Sequence, residues 1–276
     1  MAISGTSTGW PRVARYAVLT LVAALVLFPV YVMVVGAFKS GGKVLDDPLL
    51  PTSVSFDTLR DAWSAGKLGR ALVNSTVVAV LVTVAQVITA VLSAYAFAYL
   101  RFPAKNMVFA VFLATLLVPF EATVVVNRST IQDLGWLNSY QGLALPFLAT
   151  AFGTFLVRQV FMQLPKELRE ASQMDGLGHV GFLREVAVPL ARPTIGALAL
   201  FSFLSTWNQY LWPTVVSTDD DWNTVQSGLR ALSQAQIDKP NLVIAGTVIV
   251  ALPIFVVLLV FQRQLVRGLT AGAVKG

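Results

Sequence analysis

The sequence predicts an all-α membrane protein with six transmembrane helices, and three observations lead there. Of 276 residues, 56% are hydrophobic and only 12% are charged, against about 25% charged in an average soluble domain. Mean hydropathy is +0.71. The apolar residues fall in six runs, each suited to a hydrocarbon core of about 30 Å. No separate soluble domain is visible, so residues 1–276 read as one membrane domain.

Residues 1–11 are a short polar tail, followed by Arg12, Arg15 and an apolar run over 16–38. That run exceeds the roughly 7–15 residues of a signal-peptide core and lacks a clear A-x-A site, so it is expected to stay as an uncleaved first span. Residues 39–70 are polar and contain Gly41, Gly42, Pro48 and Pro51, which predicts an external loop. Residues 71–100 then run for 30 positions without a charge, Gly or Pro. Such a helix is about 45 Å long, so it must tilt or protrude.

The turn at 101–105 closes this second span. A third is expected over 107–126, interrupted by Pro119 and carrying Glu121, and a fourth over 142–160, reaching Arg158. Residues 194–217 form the fifth, with Trp-Asn-Gln-Tyr-Leu-Trp-Pro at 207–213. A polar loop with Asp219, Asp220 and Asp221 follows, then a sixth span over 242–261 and a short basic tail, 263–276.

Six spans put both termini on one side, and charge decides which. The side holding the termini, 101–105 and 158–192 has 12 Lys/Arg against 4 Asp/Glu; the other has 8 against 10. Lys/Arg excess near span ends marks the cytoplasmic side. Both termini are therefore expected to be cytoplasmic. The five basic residues of 39–70 run against the rule, offset by four aspartates.

Chemistry is sparse. No cysteine is present, and one histidine, His179, cannot supply a metal site. No P-loop, nucleophile elbow, HExxH or dinucleotide fingerprint occurs, so no catalytic residue and no bound cofactor is predicted. Any pumping must draw on a partner or an ion gradient. No aromatic and basic platform for nucleic acid is seen.

The departure from apolar helix is residues 164–193, LPKELREASQMDGLGHVGFLREVAVPLARP. Leu164, Leu168, Ala171 and Met174 share one helical stripe, with Lys166, Glu167, Arg169, Glu170 and Gln173 elsewhere. Gly176 and Gly178 permit a sharp turn before Phe182, Leu183 and Val186 supply a second stripe, which Pro189 is expected to stop. Small residues at Ala171, Ser172 and Gly176 let another surface approach closely. Helices that lie on membranes are rich in Lys/Arg, whereas 165–192 hold four basic and four acidic residues. That neutrality favours a protein partner.

Glu170-Ala171-Ser172, three residues, Gly176, nine residues, then Val186-Ala187-Val188-Pro189 resembles the EAA loop of ABC importer permeases, whose pattern is E-A-A, three residues, G, nine residues, I-x-L-P. Ser172, Val186 and Val188 depart mildly in volume. Asn74-Ser75, Leu164-Pro165, Trp207-Asn208 and the ending Gly-Leu-Thr-Ala-Gly-Ala-Val-Lys-Gly are similar to the carbohydrate-uptake branch, the maltose-type and glycerol-3-phosphate-type permeases.

The resemblance implies the transmembrane domain of a type I ABC importer in a bacterial inner membrane. Its partners would be a second homologous permease, a homodimer of cytoplasmic ATPase subunits that bind ATP and Mg, an external solute-binding protein, and membrane lipid. Residues 164–193 would form the coupling loop. Glu170, Ala171, Ser172, Asp175, Gly176 and Pro189 would meet the ATPase, Glu170 through a charge-assisted contact. The tail with Thr270, Gly272 and Lys275 would reach the ATPase interface.

Depth arithmetic addresses the path. Glu121 lies 16 residues beyond Lys105, Asn208 lies 15 beyond Pro193, and Gln86 lies 14 before Leu100, so all three are expected at one level of the outer half of the bilayer. An intramembrane carboxylate is costly, so Glu121 is expected to face the bundle or water. Two readings stay open. Glu121, Asn208, Gln209 and Tyr210, with Gln86 and Asn74, line the path or its gate; or they form interhelical hydrogen bonds with no substrate role. Trp207 and Trp212 read as packing aromatics, and His179 as an exposed loop residue.

Residues 207–213, Pro-Phe-Glu at 119–121 and Leu-Asn-Ser-Tyr-Gln-Gly-Leu at 137–143 look closest to the glycerol-3-phosphate type, which in some bacteria takes glycerophosphodiesters such as glycerophosphocholine. An oligosaccharide such as maltose is the alternative substrate. A secondary transporter, needing no ATPase, would leave the charged coupling loop without a purpose. A membrane-embedded enzyme would lack convergent catalytic groups.

Overall fold

The longest apolar runs become the longest helices. The computed structural model describes residues 12–39 and 54–271, and side chains over 13–39 and 54–262. All regular structure among them is helical. In chain order the helices are α1 (Arg12–Ala37), α2 (Asp57–Ala65), α3 (Leu68–Tyr99), α4 (Lys105–Ala114), α5 (Phe120–Asp133), α6 (Tyr140–Ala144) and α7 (Ala151–Gln163). Then follow α8 (Lys166–Met174), α9 (His179–Phe182), α10 (Val188–Trp207), α11 (Leu211–Val216), α12 (Val225–Ala235) and α13 (Pro240–Ala271). Among the described residues, four helices are long and apolar enough to cross a membrane, or up to six if each of two bent pairs counts as one span.

The contacts divide the chain into two units. In the first, residues 1–66 and 232–249, Ala37, Ala62, Leu232, Leu242 and Ala245 form the core. Phe38 meets Phe56 edge-on at 5.4 Å, and Thr58 Oγ1 donates to the Lys39 carbonyl at 2.7 Å. Most of the apolar side chains of α1, including Leu21, Leu25 and Val26, are exposed.

The second unit, residues 67–231 and 250–276, is built around α3. Small residues on one face, Ala90 and Ala94, let α7 and α10 come close, and Val157, Phe161 and Leu198 complete the core. The same face carries hydroxyls and an amide. Gln86 Nε2 donates to the Phe147 carbonyl at 2.7 Å, Thr89 Oγ1 to the Leu148 carbonyl at 3.2 Å, and Ser93 Oγ lies 2.7 Å from Thr154 Oγ1. Those carbonyls sit where α6 and its following 3-10 turn give way to α7, bent by 47°. Backbone groups at a break in an apolar segment need partners, and α3 provides them.

The interruption expected at Pro119 is a full break, and the expected fourth and fifth spans are not continuous helices either. Val118, ahead of Pro119, is extended (φ −82°, ψ 113°), and α5 leaves the axis of the preceding helix at 95°. A residue before proline is pushed out of helical conformation. The fifth span breaks at 208–210, between α10 and α11. Pro213 has no N–H to give the Gln209 carbonyl, so a new helix starts there. Beyond the aspartate loop, α12 is an element the sequence reading does not foresee; Val225 and Leu232 are its buried apolar positions, beside buried Ser227 and Gly228.

Pro189 does not stop a helix. Leu183–Ala187 form a π-helical turn, the Val188 N–H bonds the Leu183 carbonyl, and Pro189 enters as the second residue of α10. Widening the turn moves the bonds that a proline interrupts, so His179–Trp207 is one helical run of 29 residues.

Candidate functional site

The segment 164–193 forms two helices around a glycine turn. In α8 the backbone closes with the Leu177 N–H on the Ser172 carbonyl (2.9 Å) and the Gly176 N–H on the Gln173 carbonyl (3.0 Å). This is a Schellman ending, whose residue after the cap is left-handed. Gly176 has φ +79°, and a Cβ placed there would meet nothing within 4 Å. Glycine is needed for backbone conformation, not for room inside this chain.

The two faces of α8 differ from the stripe read from spacing. Ser172 is buried and half-buried Arg169 lies over the Tyr99 ring at 5.4 Å. Outward lie Glu167, Glu170, Ala171 and Met174, the last 88% exposed, with Asp175 and Gly176 also exposed. Leu164 packs on the main core instead of continuing that face, and Leu168 is partly exposed. The second stripe holds: Phe182 is buried, with Leu183 and Val186 packed beside it. His179 is exposed yet not a loop residue; it opens α9, and its Nδ1 lies 2.8 Å from the Tyr95 hydroxyl.

Of the predicted path residues, Gln86 and Gln209 come together. Both line a small cavity of about 80 Å³ with Ser205, Thr206 and Thr224. Ser202 Oγ donates to Gln86 Oε1 at 2.6 Å. Asn208 is exposed beside it, capping α10 through its Nδ2 on the Leu204 carbonyl and accepting from Gln226 Nε2 at 3.3 Å. Arg230 lies over the Tyr210 ring at 5.1 Å. Glu121 does not join them. The 95° bend takes it off the line assumed by the depth count, into the first turn of α5, exposed. A carboxylate there suits the helix N-terminus.

Asn74 is fully buried and acts on the aspartate loop. Its Nδ2 donates to the Asp221 and Asn223 carbonyls (2.9 and 3.0 Å), and its Oδ1 accepts from the Tyr140 hydroxyl (3.1 Å). Ser75 Oγ accepts from the Val225 N–H at 2.9 Å. Lys67 Nζ pairs with Asp221 Oδ1 at 2.8 Å. Trp207 and Trp212 are both buried. Thr270 falls on α13, where side chains are not described, and Gly272 and Lys275 lie outside the described residues. No group of three or more metal-ligating side chains occurs among the described residues.

The Lys67–Asp221 pair gives the loop a pH signature. The hydrogen bond to Asp221 raises the Lys67 pKa, and the same bond lowers that of Asp221. A lowered carboxyl pKa contributes stability above its unfolded value and loses it as pH falls through the folded one; a raised lysine pKa does the reverse at high pH. The loop is therefore expected to be held best between the two ranges. Hydrogen exchange at 219–223 should rise from about pH 7 to about pH 3 in the wild type, after correction for intrinsic rates, and Lys67→Met should remove most of that rise. Equal pH dependence in both would show that the pair holds nothing.

With this geometry in hand, comparisons place the chain. The family described as "Binding-protein-dependent transport system inner membrane component" matches residues 2–271. The sn-glycerol-3-phosphate transport system permease protein UgpE of Yersinia pestis bv. Antiqua is 37% identical over 255 residues, 89% of this chain and 91% of that one. Its namesake from Pectobacterium atrosepticum is 38% identical over 254 residues, covering 88% and 90%. That of Escherichia coli O1:K1 is 35% identical over 270 residues, covering 94% and 96%. A solved bacterial ABC transporter involved in the import of the acidic polysaccharide alginate has a chain with the same fold: TM-score 0.76, 21% identity, covering 93% of this chain and 99% of that one. The chain belongs to the family of binding-protein-dependent transport components, as a permease subunit of an ABC importer.

Proposed function

We propose that this permease forms half of an import path for sn-glycerol-3-phosphate or a glycerophosphodiester such as glycerophosphocholine. The observation that carries the substrate is 35–38% identity, over 88–94% of the chain, to permeases named for sn-glycerol-3-phosphate transport. Chemistry supports it: Arg230 beside Tyr210, at the break holding Asn208 and Gln209, offers a planar cation of the kind that binds phosphate.

In this reading each bent helix pair is one span. Six spans leave both termini in the cytoplasm of a bacterium, with the chain in the inner membrane. A second homologous permease completes the path, an external binding protein delivers the solute, and a homodimer of ATPase subunits carries ATP and Mg. The outward face of α8 with Glu170, Ala171 and Asp175, and the turn at Gly176, seats in the ATPase. Ser172 and Pro189 serve from behind, fixing α8 and starting α10. Thr270, Gly272 and Lys275 extend toward the ATPase interface.

The test is uptake by the complete complex in vesicles, with labelled sn-glycerol-3-phosphate, glycerophosphocholine and maltose. Uptake of the phosphate esters and not of maltose is expected; the reverse pattern would sink the substrate assignment and leave the coupling reading standing. In the same assay Glu121→Gln is expected to change uptake without loss of assembly. Unchanged uptake across the series would confine Glu121 to the end of α5.

A further inference from the structure

Where α3 and α7 end, the second unit opens into a cavity of about 920 Å³, within the size range of ligand pockets, about 300–1,000 Å³. Its walls follow one order. Along α3 and the residues after it, Leu100 is followed by Arg101; along α7 and into α8, Met162 is followed by Lys166 and Arg169. On each wall the apolar side chain lies at the end of a candidate span, and the cations come just past it.

Three cations and one carboxylate, Glu170, line the space. Like charges gathered on one cavity repel one another unless an anion joins them. Two features hold that arrangement in place. Arg169 is fixed over Tyr99, and His179, also in the lining, is tied to Tyr95. A soluble anion would use the cations and leave the apolar wall idle. A lipid with a charged headgroup uses both, since basic pockets at the ends of transmembrane helices suit anionic headgroups.

We propose that this cavity seats an anionic phospholipid, its phosphate among Arg101, Lys166 and Arg169 and its acyl chains against Leu100 and Met162. This ligand is separate from the transported solute, and its site uses none of the residues assigned to the path. Glu170 stands on the rim shared with the outward face of α8, so an occupied site fixes the base from which that face projects.

The test uses the assembled complex, reconstituted with equal amounts of phosphatidylglycerol and phosphatidylcholine, re-extracted, and weighed by native mass spectrometry. The wild type is expected to retain phosphatidylglycerol in preference, and Arg101→Gln with Lys166→Gln to retain roughly tenfold less. Should the double variant assemble poorly, Arg101→Glu alone, at an exposed position, is expected to lose the lipid likewise, and Arg101→Lys to keep it. Equal retention of both lipids by the wild type, or unchanged retention in the variants, would overturn the proposal. So would inorganic phosphate bound at these residues in place of lipid. Phosphate-ester uptake is scored separately, so neither result decides the other.

Discussion

Glu170→Lys is expected to abolish substrate-stimulated ATP turnover in the assembled complex while leaving membrane insertion intact. Glu170 is exposed on α8, so reversing its charge costs the isolated chain little. Its proposed partner is a cation on the ATPase, and disrupting one member of a charge pair at an interface costs about 2–5 kcal/mol. Gly176→Trp should have the same outcome for a different reason. Beyond its two chain neighbours, no described residue comes within 4 Å of the added Cβ, so the direct penalty is the left-handed backbone, about 1–2 kcal/mol. The indole then projects where the ATPase must seat. ATPase assays on complexes with normal subunit ratios check both, and wild-type turnover in either would sink the coupling role.

Trp212→Ala should cost the largest stability, about 3–5 kcal/mol for loss of a buried aromatic. Trp212 is fully buried, its ring edge-on to Phe120 and Phe147, and its Nε1 donates to the Gly142 carbonyl at 3.0 Å. It joins α5, α6 and α11, three elements made by helix breaks. Substituting alanine leaves both a cavity and an unpaired carbonyl. Trp212→Phe keeps the ring and should cost less, with about 1 kcal/mol assigned to the lost hydrogen bond. Thermal loss of folded complex in detergent measures the series; an unchanged melting point for Trp212→Ala would show the contact to be dispensable.

What the sequence shows well is long and local. The uncharged run over 71–100 becomes α3, and the sharp turn that Gly176 and Gly178 permit forms with Gly176 in the left-handed region, because each rests on one residue property. The breaks were less legible. Hydropathy counts the residues of a span but not where its hydrogen bonds stop, so residues 142–160 and 194–217 read as single helices, and of the third span only the interruption at Pro119 is expected, not its angle. The signals were Pro119 and Pro213, each acting on residues before it. Proline also misled, since Pro189 looked like a stop until a π-turn re-registered the bonds around it. For Asn74 the sequence leaves open a path role or a hydrogen-bonding one; only the folded chain brings Asp221 and Asn223, far away in sequence, to its side chain. The aspartate loop likewise concealed α12, whose buried Val225 and Leu232 are too few to stand out among polar neighbours.

The continuity bought by that π-turn has a mechanical side. One helical run of 29 residues, His179–Trp207, with Pro189 and Pro193 inside it, is a rod of about 43 Å. Its near end is tethered by the α8 turn and its far end stops at Asn208–Tyr210. Rotate such a rod by about 10° about one end, and the other travels about 7 Å, more than the diameter of a phosphate group. A small tilt imposed at the α8 end, less whatever bending the π-turn and Pro193 absorb, would therefore reach the polar break beside Gln86, where the backbone is already interrupted.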